Sequence, residues 1–218
     1  SNSYLIINPV QTCASAFTDL NLNHWAYSEI DYLCNQNIVQ GDGNTNFTTV
    51  RPDDDVNRAE LAKLAYVSLD LANHPNITNA LKYPNPFNDL QDGVWYQDFA
   101  KALSYLDYGD GKVPFDWNKF NFYPSNDISR SHVTKVLLEA WDISTNVTQY
   151  TFTDMASTHD AYEYMNAAYH YGIVTDNDVN VSGIQVNPNA NAIRAEVFVM
   201  LYRLLQGGNV SLPNFTMN

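Results

Sequence analysis

The chain has 218 residues, and its formal net charge of −13 at pH 7 excludes several classes of function. Non-specific nucleic-acid binding and polybasic attachment to membranes both need a cationic surface, which this acidic chain does not offer. Aromatic residues make up 13% of the sequence, so we expect the chain to fold rather than to stay disordered. No apolar run reaches the length of a membrane span, and no signal peptide is recognised, so we expect an intracellular protein or an excised mature fragment.

The first part of the chain predicts two helices. Apolar residues recur at helical spacing between His24 and Ile38, which indicates a first helix there. Gly41 follows in a Gly-Asp-Gly-Asn turn that ends this helix. Asn57 is a good N-cap, and Glu60 three residues later completes a capping box, so we expect a second helix to begin at this point.

An N-terminal lead-in, residues 1–16, is expected to be extended, and it contains one of the two cysteines. Cys34 lies on the apolar face of the predicted first helix, which favours a buried free thiol. A disulfide between Cys34 and Cys13 is the alternative, and sequence alone does not decide between them.

The middle of the chain predicts a second pair of helices after a proline-rich linker, residues 74–86. Apolar residues at helical spacing run from Trp95 to Leu106. The loop that follows is rich in aromatic side chains, so we expect it to pack on the body of the protein. Ser129 is the N-cap of the next helix, whose apolar stripe reaches Trp141.

The last part of the chain predicts a third pair of helices. Ala161 and Tyr169 lie on the apolar stripe of the first of these, which Gly172 closes. The second continues to about residue 206, where two glycines stop it. The tail, residues 207–218, is expected to be frayed.

The three helix pairs are copies of one unit. An arginine follows a proline by six residues in each copy: these are Arg58, Arg130 and Arg194, after Pro52, Pro124 and Pro188. A Phe-x-Asp motif precedes these arginines by 41, 43 and 42 residues, at Phe17, Phe87 and Phe152. Because the chain has only five arginines, this register indicates an internal repeat.

The repeat predicts a mostly α fold of three helix-loop-helix repeats. Each helix carries one apolar stripe, and a single unit cannot bury its own stripe, so neighbouring units must supply the other wall. Three copies favour a closed, pseudo-threefold arrangement with the second helices at the centre.

The motifs resemble those of the S-layer homology (SLH) domain family. The first unit is most similar to the family pattern, with Phe-Thr-Asp at Phe17, His-Trp-Ala around Trp25, Ile-Val-Gln-Gly ending at Gly41, and Asn-Arg-Ala-Glu around Arg58. The resemblance covers residues 17 to about 206. It implies a tandem of three SLH units, at residues 17–73, 87–144 and 152–206 with a linker at 145–151, around a central three-helix bundle.

The resemblance also implies a function and a location. SLH units attach proteins non-covalently to the bacterial cell wall, outside the cell. Grooves between adjacent units bind a secondary cell wall polysaccharide, often through a pyruvate ketal. The arginine of the second-helix motif is the family's main contact to that acidic group, which implies Arg58, Arg130 and Arg194 as ligand-binding residues.

The chemistry of these residues suits an acidic sugar. An arginine at the first position of a helix lies among unpaired backbone N–H groups, and its guanidinium can hold a carboxylate by two parallel hydrogen bonds. Trp25 and Trp95 are candidates for covering a sugar ring, and Gly41 and Glu60 complete the candidate ligand-binding set. The alternative role for each arginine is an ion pair that locks the start of its helix, and for each tryptophan a half-buried packing role.

Departures from the family pattern leave a second function open. The second unit has His132 where the first has an acid, and the third has Ile193 and Asp160 where a capping hydroxyl and a tryptophan are usual. The alternative is a protein–protein interaction module that binds other surface-layer subunits, with degenerate sugar grooves. We predict no enzyme, cofactor or metal site, because no catalytic motif stands out and the Asp/Asn-rich loops 42–46 and 176–180 lack the glycine and glutamate of a calcium-binding loop.

Overall fold

The computed structural model describes residues 12–42, 48–116, 120–175 and 182–207, and within these ranges the protein is mostly α-helical. Most of the predicted lead-in and almost all of the predicted tail lie outside them. The helices are α1 Tyr27–Asn35, α2 Arg58–Ser68, α3 Pro75–Ala80, α4 Gln97–Tyr105, α5 Arg130–Ala140, α6 Tyr162–His170 and α7 Arg194–Leu205. Short 3-10 turns occur at Cys13–Ala16 and Leu71–Asn73. Extended pairing in the described ranges is limited to isolated bridges, which confirms the predicted fold class.

The second helix of the first predicted unit begins where its caps predict. The Asn57 side chain accepts a hydrogen bond of 2.9 Å from the Glu60 N–H, and Glu60 Oε2 accepts one of 3.0 Å from the Asn57 N–H. This is the expected capping box. In α7 only half of the box remains, because Ile193 has no side-chain acceptor; Glu196 Oε2 accepts a bond of 3.1 Å from the Ile193 N–H.

Three short segments before α2, α5 and α7 are joined by a ring of backbone hydrogen bonds. The Val56 N–H donates to the Ala192 carbonyl (2.9 Å), the Ala192 N–H donates to the Ile128 carbonyl (3.0 Å), and the Ile128 N–H donates to the Val56 carbonyl (3.2 Å). Each segment therefore donates to one neighbour and accepts from the other, and the ring closes after three bonds.

The first turn of each of these helices is capped by the neighbouring unit. The first N–H group of each helix donates to a backbone carbonyl of another unit. The pairs are Arg58 to Asn126 (3.0 Å), Arg130 to Ala190 (2.9 Å) and Arg194 to Asp54 (2.8 Å). The first N–H groups of a helix have no acceptor within the helix, so here the neighbouring unit supplies the acceptors for each helix start.

The outer helices pack in the same cyclic order. Helix α1 packs against α7, α4 against α2, and α6 against α5, while α2 also contacts both α5 and α7. Aromatic pairs mark two of these interfaces, edge-to-face between Tyr32 and Tyr202 and tilted between Tyr66 and Phe99. Each unit thus buries its first helix on another unit, as its single apolar stripe requires. An axis relating the three units stays a prediction.

The aspartates of the Phe-x-Asp motifs shape the loops before α2, α5 and α7. Each carboxylate accepts hydrogen bonds of 2.6–3.2 Å from two successive backbone N–H groups. The aspartates are Asp19, Asp89 and Asp154. The second donor has a positive φ in each loop, at Arg51, Tyr123 and Asn187. The three aspartates therefore act as turn formers in these loops.

The structure corrects two sequence-based expectations and adds a helix. Cys34 is buried but not a free thiol, because it forms a disulfide with Cys13, with a Cα–Cα distance of 5.7 Å. Trp25 and Trp95 precede α1 and α4 rather than starting them, so both helices are shorter than predicted. Helix α3 lies in the proline-rich linker, where Pro75 occupies a first-turn position that needs no N–H donor. None of the described helices is long and apolar enough to cross a membrane.

Candidate functional site: grooves at the arginine helix starts

The three predicted arginines make the same backbone contact across a unit boundary. Each Nε donates to a carbonyl of the loop in the neighbouring unit. The pairs are Arg58 to Phe122 (2.5 Å), Arg130 to Val186 (3.1 Å) and Arg194 to Val50 (2.9 Å). All three arginines therefore have a structural role, whatever else they bind.

Arg130 and Arg194 are buried and paired with carboxylates. Their exposed fractions are 5% and 6%. Arg130 Nη1 lies 2.5 Å from Glu196 Oε1, and Arg194 lies 3.2 Å from both Glu60 Oε1 and Asp42 Oδ2. Burial lowers the pKa of Arg194, and the two carboxylates act against that shift. These two arginines match the alternative role that the sequence left open, an ion pair at the helix start.

Arg58 differs from its two counterparts. It is half-buried, and within the described part of the chain it forms no ion pair. Its guanidinium carbon lies 4.9 Å from the Phe115 ring centre and 5.4 Å from that of Phe122. Burial lowers the pKa of Arg58, with only the more distant charge of Asp89 acting against the shift. A desolvated cation without a counter-ion is a favourable partner for an exogenous anion.

A change of one residue explains this difference. Glu60 and Glu196 pair with Arg194 and Arg130 from the third position of α2 and α7. His132 holds the same position in α5, on the wall facing Arg58. Its ring nitrogens lie 2.8 Å from Ser129 Oγ and 3.2 Å from Asp160 Oδ2, so the side chain is engaged away from Arg58.

Arg58 lines a groove of about 580 Å³ between the first two units. The other walls include Phe115, the start of α5 with His132 and Lys135, and Asp160. Burial acts to raise the pKa of Asp160, but the hydrogen bond to His132 and the charges of His132, His159 and Lys135 together lower it. The groove thus combines a guanidinium without an ion pair among the described residues, a lysine and the exposed ring of Tyr123, which suit an anionic ligand with an apolar ring face, and its lining also includes Asp116, Asp127 and Asp160.

A second groove, of about 510 Å³, surrounds Arg194. It brings together four predicted site residues, Gly41, Glu60, Trp95 and Arg194, with Lys63 beside them. Trp95 is 58% exposed there, so a face of its ring is available to a ligand.

The acids of this second groove are already shared between two arginines. Arg51 lies 2.5 Å from Glu60 and 2.9 Å from Asp42, the same carboxylates that contact Arg194. Burial opposes the charge of Arg51, but its hydrogen bonds to Glu60 and Asp42 dominate and raise its pKa above the usual value. An incoming anion would compete with carboxylates already in place.

Two predicted site residues lie outside both grooves. Trp25 is 58% exposed and stacks on His24, with ring centres 5.6 Å apart. Arg130 is held by Glu196. Residues 176–181 lie outside the described ranges, and so do the residues 42–46 and 176–180 considered for calcium, apart from Asp42.

Sequence reasoning missed the two lysines. Lys63 and Lys135 line the two grooves, and each follows the arginine of its own helix, Arg58 or Arg130, by five residues. That common spacing was a usable signal. The third copy has Val199 at this position.

Comparisons with known proteins agree with this architecture. The family model described as "S-layer homology domain" matches residues 16–62 and 151–198. The chain is 29% identical over 89% of its length to an amylopullulanase of Thermoanaerobacterium thermosulfurigenes. It is 23% identical over 92% to the surface-layer 125 kDa protein of Lysinibacillus sphaericus, and 27% identical over 88% to S-layer protein EA1 of Bacillus anthracis. It spans only 10%, 16% and 20% of these relatives.

Proposed function

We propose that the chain, two segments of which match the S-layer homology domain family, is an anchoring module of the bacterial cell surface and binds an acidic polysaccharide of the cell wall through its arginine grooves. We further propose that it is non-catalytic, since the enzymes among its relatives are far longer than the matched segment. Residues 87–144, which the family model does not match, are proposed as the middle one of three units. Asp89 and Arg130 support this, because they make the same contacts as their counterparts in the other two.

The observation that carries the proposal is the state of Arg58. Its guanidinium lies in an open groove, on an aromatic floor, without a carboxylate partner among the described residues. In a chain of net charge −13, a half-buried cation without such a partner is unusual, and an acidic ligand would neutralise it.

The energetics favour a polymer over a single sugar. A charge-assisted hydrogen bond contributes about 1.5–3 kcal/mol, so one carboxylate on Arg58 gives only weak binding. Lys135 can add a further electrostatic contact in the same groove. A polymer that engages more than one groove on the same molecule gains avidity without any new type of contact.

Co-sedimentation with purified cell walls tests the proposal, before and after acid extraction of the non-peptidoglycan polymer. We expect Arg58→Ala to weaken binding about tenfold or more, a loss of about 1.4 kcal/mol. Lys82→Ala is the matched control, since it removes one positive charge that lies outside both grooves. Melting curves of both variants separate loss of binding from loss of fold.

The outcomes are distinct. Binding that disappears on extraction and weakens in Arg58→Ala, but not in Lys82→Ala, supports a polymer anchor that works through Arg58. Equal weakening in both variants would indicate a general charge effect. A folded wild-type chain that ignores untreated walls would refute polysaccharide binding.

A protein–protein role is the second candidate, and exposed aromatic residues favour it. Phe120 and Tyr123 are 71% and 50% exposed on the loop before α5. Such side chains commonly anchor interfaces between subunits. Analytical ultracentrifugation of the wild type and of Phe120→Ser tests this role: self-association that the substitution removes would favour it, and a monomer at all concentrations would count against self-assembly through this loop.

A further inference from the structure

We propose that His132 is a specificity-determining residue that keeps the Arg58 groove open to an external carboxylate. The inference rests on the proposed function and deepens it, because it assigns acid binding to one groove rather than to three equivalent ones. The ligand class is a sugar bearing a single carboxylate.

The first step of the argument compares the three helix starts. At the third helical position α2 and α7 carry glutamates, and each glutamate contacts the arginine of the preceding unit in the cyclic order, at 3.2 Å for Glu60 with Arg194 and 2.5 Å for Glu196 with Arg130. Helix α5 has His132 there, and the arginine that faces it, Arg58, has no ion pair in the described ranges. Thus the helix start that lacks a glutamate at this position is the one that faces the arginine without an ion pair among the described residues.

The second step concerns two of the carboxylates that line the groove beside Arg58. Asp160 lines the same groove, where its two oxygens lie 3.2 Å from His132 Nε2 and 3.1 Å from His159 Nδ1. Asp127, also on the groove wall, accepts a hydrogen bond of 3.4 Å from Asn191. His132 therefore supplies no acid of its own and also engages the carboxylate of Asp160.

The third step is charge balance. In the Arg194 groove, Arg194 and Arg51 share Glu60 and Asp42, so both carboxylates already have cationic partners. A carboxylate ligand entering there must displace a partner. In the Arg58 groove it would meet a guanidinium whose Nε is held by a backbone carbonyl and whose terminal nitrogens form no ion pair among the described residues. One ligand carboxylate would restore the pairing seen in the other units.

Selective labelling tests this without any ligand. Phenylglyoxal modifies accessible arginines, and peptide mass spectrometry assigns the modified position. In the wild type we expect Arg58 to react well ahead of Arg130 and Arg194. His132→Glu should pair with Arg58 and slow its modification about tenfold, the protection expected of an ion pair of about 1.4 kcal/mol.

The matched control is His132→Gln, which keeps a polar side chain near Asp160 but adds no charge. Its Arg58 should react at the wild-type rate, and the melting temperatures of both variants should confirm that each is folded. Equal reactivity of Arg58 in the Glu and Gln variants, or equal reactivity of all three arginines in the wild type, would overturn the inference.

Wall co-sedimentation of the same variants adds the functional readout. Loss of binding in His132→Glu with full binding in His132→Gln supports the inference, and equal binding of the two overturns it. If the wild type does not bind walls at all, the proposed function fails, and the labelling result alone then decides whether His132 controls access to Arg58.

Discussion

The buried ion pair between Arg130 and Glu196 predicts a stability cost that the Arg58 site does not share. Glu196→Gln removes the negative charge but keeps an oxygen that can accept the hydrogen bond from the Ile193 N–H. The helix cap can therefore be kept, while the oxygen that accepts from Arg130 and its negative charge are removed. Arg130 loses this carboxylate while its own side chain remains 7% exposed.

The size of the effect follows from the burial of the two partners. Removing one member of a fully buried pair costs about 3–5 kcal/mol, because a charge remains desolvated. Glu196 keeps 25% of its side-chain exposure, so water screens part of the interaction, and we expect about 2–3 kcal/mol. For a domain of this size, each kcal/mol lowers Tm by about 2–4 °C, which gives a fall of about 4–12 °C.

Urea and thermal denaturation, followed by circular dichroism, measure this loss. Glu163→Gln is the matched control, since Glu163 is exposed in the first turn of α6 and forms no salt bridge among the described residues. Its removal should cost less than about 1 kcal/mol, the usual limit of a helix-dipole contact at an exposed site. A loss below about 1 kcal/mol for Glu196→Gln, or one equal to the control, would refute the claim that the pair stabilises the fold.

Two further predictions concern the disulfide and Tyr108, which is 40% exposed. Replacing Cys13 and Cys34 by serine should cost about 3 kcal/mol of unfolding free energy, since the bond spans 21 residues, and denaturation with and without reductant should show the same difference. The Tyr108 hydroxyl donates to the Ala140 carbonyl, and burial together with the charge of Asp142 raises its pKa to about 12. Its stabilising effect is therefore complete below the ordinary tyrosine pKa of about 10 and is lost as the pH rises through about 12. A Tyr108→Phe variant should lose less stability over that range, and an unchanged alkaline profile would contradict this.

The local features of the fold could be predicted from the sequence. The capping box at Asn57 and Glu60 and the apolar stripes of the helices depend on neighbours a few residues apart, which a sequence displays directly. The repeat register also placed the three arginines at equivalent helix starts. Helix α3 was missed because the prolines around it look like a linker, although Pro75 is compatible with a first turn.

The non-local features could not be predicted. Arg194 meets Glu60 across 134 positions of the sequence, and only the cyclic packing of the units brings them together. The same holds for Arg58: the sequence places it beside Glu60, its neighbour in α2, whereas the structure places it opposite His132. The spatial order of the units decides which acid faces which arginine, and no local sequence pattern shows that order.

The closed ring of backbone bonds at Val56, Ile128 and Ala192 has a consequence for how this protein can vary. In a linear repeat protein, a repeat can be added or exchanged at one end, and only one new interface between repeats is formed. Here each helix start supplies the arginine to one interface and the third-position residue to the other, as α2 does with Arg58 and Glu60. Substitution at one of these positions therefore changes one groove, as His132 does, whereas divergence of a whole copy changes two binding surfaces at once.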